Sequence, residues 1–74
     1  MVKVNDLYFD SSGFLYRITF MTNYSLRWAK SSNHIEFIPV CIDFRIEEIE
    51  RQIQQRILIP YTRTNWILYG KEKN

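Results

Sequence analysis

Cys41 and His34 are the only cysteine and the only histidine in the chain. They are the residue types from which a thiolate nucleophile and its base are built. Seven positions and Pro39 separate them, and no Asp or Asn holds a recognisable orienting place beside either. The spacing therefore predicts no catalytic pair. Cys41 reads as a small buried apolar residue, and His34 as a polar turn residue. One cysteine and one histidine also fall short of a Cys/His zinc site. Asp6 and Asp10 flank the first apolar run, while Glu47, Glu48 and Glu50 gather further along. Paired carboxylates can move protons or hold a divalent ion. At turns and in the first turn of a helix, however, acids have ordinary structural roles. "DSSG" at 10–13 lacks the glycines and lysine of a phosphate loop and leads into a strand. The sequence predicts no enzyme, no cofactor and no metal.

A second chemistry lies in the rings. From Tyr8 to Lys30 the chain is rich in aromatic residues, with basic residues set between them. An exposed ring beside an arginine stacks on unpaired bases, and the same pair is enriched at protein interface hot spots. The candidate partner-binding set is Arg17, Arg27, Tyr24, Trp28, Lys30, Tyr61 and Arg63. The expected partner is a protein. The alternative is single-stranded RNA or DNA on an Arg/aromatic sheet face, and both stay open here. A net charge of +2 permits nucleic acid without demanding it, and Asp6, Asp10, Glu36, Asp43 and Glu72 dilute the basic patch. No stretch approaches the roughly 18 apolar residues of a membrane span, and the N-terminus has no signal-peptide pattern. A lone cysteine fits a reducing interior. The expectation is a cytoplasmic protein, in the host cytoplasm if viral, with no membrane partner. A homodimer is open, because a chain of 74 residues has a small core that self-association would reinforce.

Positioning these residues falls to a single domain over 1–74, with a frayed tail at about 70–74. "DLYFD", "FLYRITFMT" and "YSLRWAK" read as strands, rich in aromatic and β-branched residues. "DSSG" joins the first two, with Gly13 free to take a positive φ. "TNYS" joins the next two, with Asn23 tolerant of the left-handed region. After "SSN", "HIEFI" reads as a fourth strand stopped by Pro39. Alternation puts Phe14, Tyr16, Ile18 and Phe20 on the core face, with Arg17 on the other. On the third strand Trp28 and Lys30 oppose Arg27. The period then changes. Isoleucines at 42, 46, 49, 53 and 57 form a helical stripe. The helix is expected over about 43–56, with Asp43 as N-cap and a Glu47–Arg51 pair one turn apart. "WILY" at 66–69 reads as a last strand. The fold class is α+β: an antiparallel sheet of four to five strands, SH3-like or an open meander, packed against one amphipathic helix in the C-terminal half.

Along "VNDLYFDSSGFLYRITF" the residues Asp6, Tyr8, Asp10, Gly13, Tyr16, Arg17 and Ile18 carry a family pattern. A short strand, an acidic turn with Gly and a "YRI" second strand resemble the opening of small SH3-like barrels. The stretch is similar in particular to short bacteriophage-encoded proteins of that kind. It covers about a quarter of the chain, and the helix at 43–56 departs from a plain barrel. The resemblance implies a phage factor that binds a host protein and modulates or inhibits it. It implies no role for any single residue.

Overall fold

The structure, a computed structural model, describes residues 1–70. Its elements are β1 (Leu7–Phe9), β2 (Leu15–Met21), β3 (Ser25–Ser31), β4 (Ile38–Arg45), α1 (Ile46–Gln54), β5 (Ile59–Pro60) and α2 (Arg63–Tyr69). The five strands form one antiparallel sheet in the order β4-β3-β2-β1-β5. An α+β domain with a small antiparallel sheet is as the sequence predicts. The second helix is not, and neither is the extent of the first. The frayed tail expected at about 70–74 lies outside the described residues apart from Gly70, which caps α2 and is buried.

Side chains of short range organise the turns. Asp10 Oδ1 accepts from the backbone N–H of Ser12 and Phe14, and Gly13 takes φ 88°, where only glycine is unstrained. Asp10 Oδ2 accepts from the Tyr16 hydroxyl at 2.6 Å, tying the turn to β2. Thr22 Oγ1 accepts from the N–H of Tyr24 and Ser25 and so closes the β2–β3 turn. Asn23 is not among the positive-φ residues, so the expected left-handed position there is absent. The hydroxyl makes the turn without it.

The sheet has two unlike faces. On one, Tyr8, Tyr16, Ile18, Leu26 and Trp28 are buried with Val2 and Leu58 beneath Ile49 of α1. On the other, Phe9, Leu15 and Ile59 form a smaller cluster joined by Phe37, Tyr61 and Trp66. Each fully buried side chain of this type contributes about 1.5–3 kcal/mol. The predicted alternation holds as far as Ile18 and then breaks. Ile18 pairs with Trp28, but Phe20 pairs with Arg27, so Thr19 is an extra residue in β2. This bulge moves Phe20 out of the core face, where it is exposed, and Met21 packs there instead.

The fourth strand is displaced from its predicted place. Residues 34–37 are loop, and β4 begins at Ile38 and runs through Pro39. Proline is tolerated because β4 is the sheet edge, where an N–H facing solvent is not missed. Cys41, expected buried, is exposed in a stretch of β4 where three residues, 41–43, face the single residue Arg27. Asp43 is consequently a strand residue, not a helix cap.

Helix α1 starts at Ile46 because strand pairing holds Phe44 and Arg45 opposite Leu26 and Ser25. Its N-cap, Arg45, makes no side-chain capping bond. Instead the first helical N–H, that of Ile46, donates to the Tyr24 carbonyl at 2.9 Å. The sheet thereby satisfies a donor that a cap would otherwise serve. At the other end Arg56 takes φ 65°, with Arg56 N–H donating to Ile53 O and Ile57 N–H to Gln52 O. These are the two bonds of a Schellman motif. The predicted stripe is therefore cut at both ends, leaving Ile46, Ile49 and Ile53 on the helix. Arg51 pairs with Glu48, and Glu47 with Arg45, in place of the expected Glu47–Arg51 pair.

The last apolar run, "WILY", is helix and not strand. Thr62 accepts from Asn65 N–H at 3.1 Å, a side-chain N-cap that starts α2. Four successive apolar residues carry no period that separates the two possibilities. The Trp66 ring, 5.0 Å from Phe9 and 4.9 Å from His34 between centroids, anchors α2 on the smaller cluster.

Candidate functional site

The sheet register separates the predicted partner-binding residues. Arg17 and Arg27 lie on the face opposite α1, while Trp28 and Lys30, one residue away in alternation, lie on the α1 face. Trp28 is buried, its ring 4.6 Å from Tyr16 and 4.7 Å from Phe44 between centroids. Tyr24 is exposed in the β2–β3 turn. Tyr61 is half-buried in edge contact with Phe9 at 6.1 Å, and Arg63 is exposed at the start of α2.

Both face arginines are already engaged within the chain. The Arg17 guanidinium lies 4.3 Å from the Phe37 ring centroid. Arg27 Nε donates to Asp43 Oδ1 at 2.5 Å, and this hydrogen bond and the carboxylate charge raise its pKa. Strand displacement creates the second contact: with Asp43 in β4, its carboxylate reaches across to β3.

Lys30 is placed differently. A row of cross-strand neighbours runs Pro60, Tyr8, Tyr16, Lys30, Ile38. At the β4 end of this row, past the cover of α1, a groove of about 200 Å³ is lined by Phe14, Lys30, Ser32, Ile38 and Val40. Lys30 Nζ stands 4.1 Å from the Phe14 ring centroid and 6.0 Å from that of Tyr16. Among the described residues it has no carboxylate partner. Ile38, the cross-strand neighbour of Lys30, is 71% exposed, Ile35 in the loop before β4 is 80% exposed, and Ile42 is exposed further along β4. Sequence reasoning found Lys30 and missed Phe14, Ile35, Ile38 and Ile42. Their signal lay in which strand forms the edge, a property of the assembled sheet.

The possible catalytic types stay apart in chemistry. His34 Nε2 is 2.8 Å from the Gly13 carbonyl. A carbonyl only accepts, so this nitrogen carries the proton. The ring rests on Trp66 and Tyr61, pinning loop 32–37 to the first turn. No hydrogen bond joins His34 to Cys41 among the described residues. They also contain no group of three His, Cys, Asp or Glu side chains that could hold a metal ion. None of the described helices is long and apolar enough to cross a membrane. No protein-family model, curated protein or solved structure matches this chain.

Proposed function

We propose that the protein is a non-enzymatic protein-binding module whose contact surface is the groove over Phe14, Lys30, Ile38 and Val40. The observation that carries it is an ammonium without a carboxylate partner, lining one groove with the exposed Ile38 of the edge strand β4. A contiguous apolar patch rimmed by polar residues marks an interaction site, and here Ile38, Val40 and Phe14 line one groove with Lys30 and Ser32. The groove would take an apolar side chain next to an aspartate or glutamate of the partner. The acid would meet Lys30 and the apolar group would lie on Ile38 and Val40. On this reading Arg17 and Arg27 lie outside the contact, because they stand on the opposite face of the sheet from Lys30, and Arg27 is ion-paired with Asp43.

The resemblance of the first hairpin to SH3-like phage proteins extends the proposal. The protein would be a phage factor acting in the host cytoplasm, binding and modulating or inhibiting a host protein. The meander β1 to β4, with β5 returning to β1, supports an SH3-like interpretation of the sheet.

Selection of a random-peptide display library against the protein, and against Lys30→Glu and Ile38→Asp variants, tests the proposal. Peptides pairing an acid with large apolar residues should be recovered by the wild type. Lys30→Glu should lose them or reverse their charge preference, and Ile38→Asp should recover none. Peptides that bind all three forms alike would remove the groove from consideration. An oligonucleotide titration showing tight, steeply salt-dependent binding would favour nucleic acid instead.

A further inference from the structure

A second hollow lies at the opposite end of the α1 face, where the N-terminal segment, β1, α1 and β5 meet. It is a cleft of about 510 Å³ lined by Met1, Val2, Tyr8, Glu50, Ile53, Gln54 and Pro60. That volume falls within the roughly 300–1,000 Å³ of ligand sites. Its lining is mainly apolar, and the half-buried Glu50 and Gln54, one turn apart on α1, bring a carboxylate and an amide to it.

The Glu50 charge is not balanced from within. Of the acids on α1, Glu47 is paired with Arg45 and Glu48 with Arg51. Glu50 has no basic partner among the described residues. Asp6 adds a second carboxylate behind the cleft wall, accepting from the Tyr8 hydroxyl at 3.2 Å and from the Lys3 N–H at 2.9 Å. Burial, then Asp6 and then Glu50, raise the Tyr8 pKa to about 12, in keeping with a negative local field. Glu50 also borders a smaller hollow with Arg45, but that guanidinium is turned to Glu47.

We propose that this cleft takes the side chain of a lysine or arginine from a bound protein. The aliphatic stem would lie along Val2, Ile53 and Pro60, and the charged head would meet Glu50. Basic side chains have this division, an apolar stem and a cationic tip. A neutral donor would hydrogen-bond to Glu50 more weakly and leave its charge unbalanced, and an anion would be repelled. The proposal rests on the protein-binding proposal only for the source of the side chain. The cleft and the Lys30 groove lie at opposite ends of one cross-strand row, so either can fail alone.

The test is a titration of the 15N-labelled full chain with N-acetyl-arginine amide and N-acetyl-lysine amide, followed by backbone amide shifts. The neutral isostere N-acetyl-citrulline amide serves as control. Either cation should shift Tyr8, Glu50, Ile53 and Gln54 with a dissociation constant of about 1–10 mM, weakening as salt rises. Citrulline should bind at least about fivefold more weakly, and Glu50→Gln should lose a similar factor while keeping the wild-type spectrum elsewhere. Equal shifts from citrulline, undiminished binding by Glu50→Gln, or no shift at the cleft up to about 20 mM would each overturn the proposal. Failure here with groove-dependent peptide capture intact would leave the protein-binding function standing without this site.

Discussion

Replacing the isoleucines of the helical stripe one at a time separates pattern from structure. By spacing alone, residues 42, 46, 49, 53 and 57 are equivalent. In the structure Ile49 is 1% exposed, Ile42 57% and Ile57 52%. Ile→Ala removes three carbons, about 2.4 kcal/mol of transfer free energy when fully buried at ~0.8 kcal/mol each. A cavity at Ile49, walled by Tyr8, Ile18 and Leu26 across the sheet, raises the expected loss to about 3–4 kcal/mol. At Ile42 and Ile57 less than half of the side chain is out of water, so the loss is about 1 kcal/mol. A domain of this length has about 4–11 kcal/mol of stability in all. Ile49→Ala should therefore lower the urea midpoint by about 3 M at a slope of about 1 kcal/mol/M, and the other two by about 1 M. Far-UV circular dichroism and tryptophan fluorescence should report the same transition, because Trp28 lies in the Ile49 cluster. If Ile42→Ala were as damaging as Ile49→Ala, the helix would begin near Asp43 as its sequence suggests, and the strand assignment of 38–45 would be wrong.

Two further outcomes follow from the hydroxyls and from the C-terminal cap. Burial and the carboxylates beside them raise the pKa of Tyr8 to about 12 and that of Tyr16 further, against 10.0 in the unfolded chain. The unfolded state thus releases these protons first, and stability should fall as pH rises from about 10 to about 12. Spectrophotometric titration at the phenolate band should show both hydroxyls ionising late, and Asp10→Asn should bring Tyr16 down; an unchanged Tyr16 would refute its bond to Asp10. In Gly70→Ala the new methyl would collide with the Trp66 ring and would lie 2.5 Å from the Trp66 carbonyl oxygen. Trp66 should be pushed off Phe9 and His34, with a red-shifted emission component and a loss of about 1–3 kcal/mol; wild-type emission and stability would refute that packing.

What could be read from the sequence was local. Asp10, Gly13 and Thr22 make their turns with atoms two to six residues away, so the places of the turns and the first three strands were legible, although at the second turn Thr22 acts and not Asn23. Alternation in β2 was legible up to Thr19. The bulge after it depends on which β3 residue stands opposite, and Phe20 changed face for that reason. The site was less legible. Lys30 was identifiable as a basic residue among rings, but its grouping with Arg17 and Arg27 ignored the strand period that puts it on the other face. Ile35 and Ile38 became candidates only once β4 proved to be the edge.

The sequence by itself determined an α+β domain: aromatic and β-branched runs between polar turns, then a change of period to an isoleucine stripe. Those patterns follow from side-chain geometry along a strand or helix and need no knowledge of neighbours. Tertiary structure alone decided where β4 gives way to α1, that "WILY" coils, and which cations keep a partner. At Asp43 a plausible helix cap competed with strand pairing to Leu26 and Ser25 and an ion pair to Arg27, and the longer-range bonds prevailed. The same displacement that placed Asp43 on Arg27 left Ile38 at the sheet edge beside Lys30. The groove is thus set by strand order and register, because hydrogen-bonded neighbours distant in sequence determine which side chains meet.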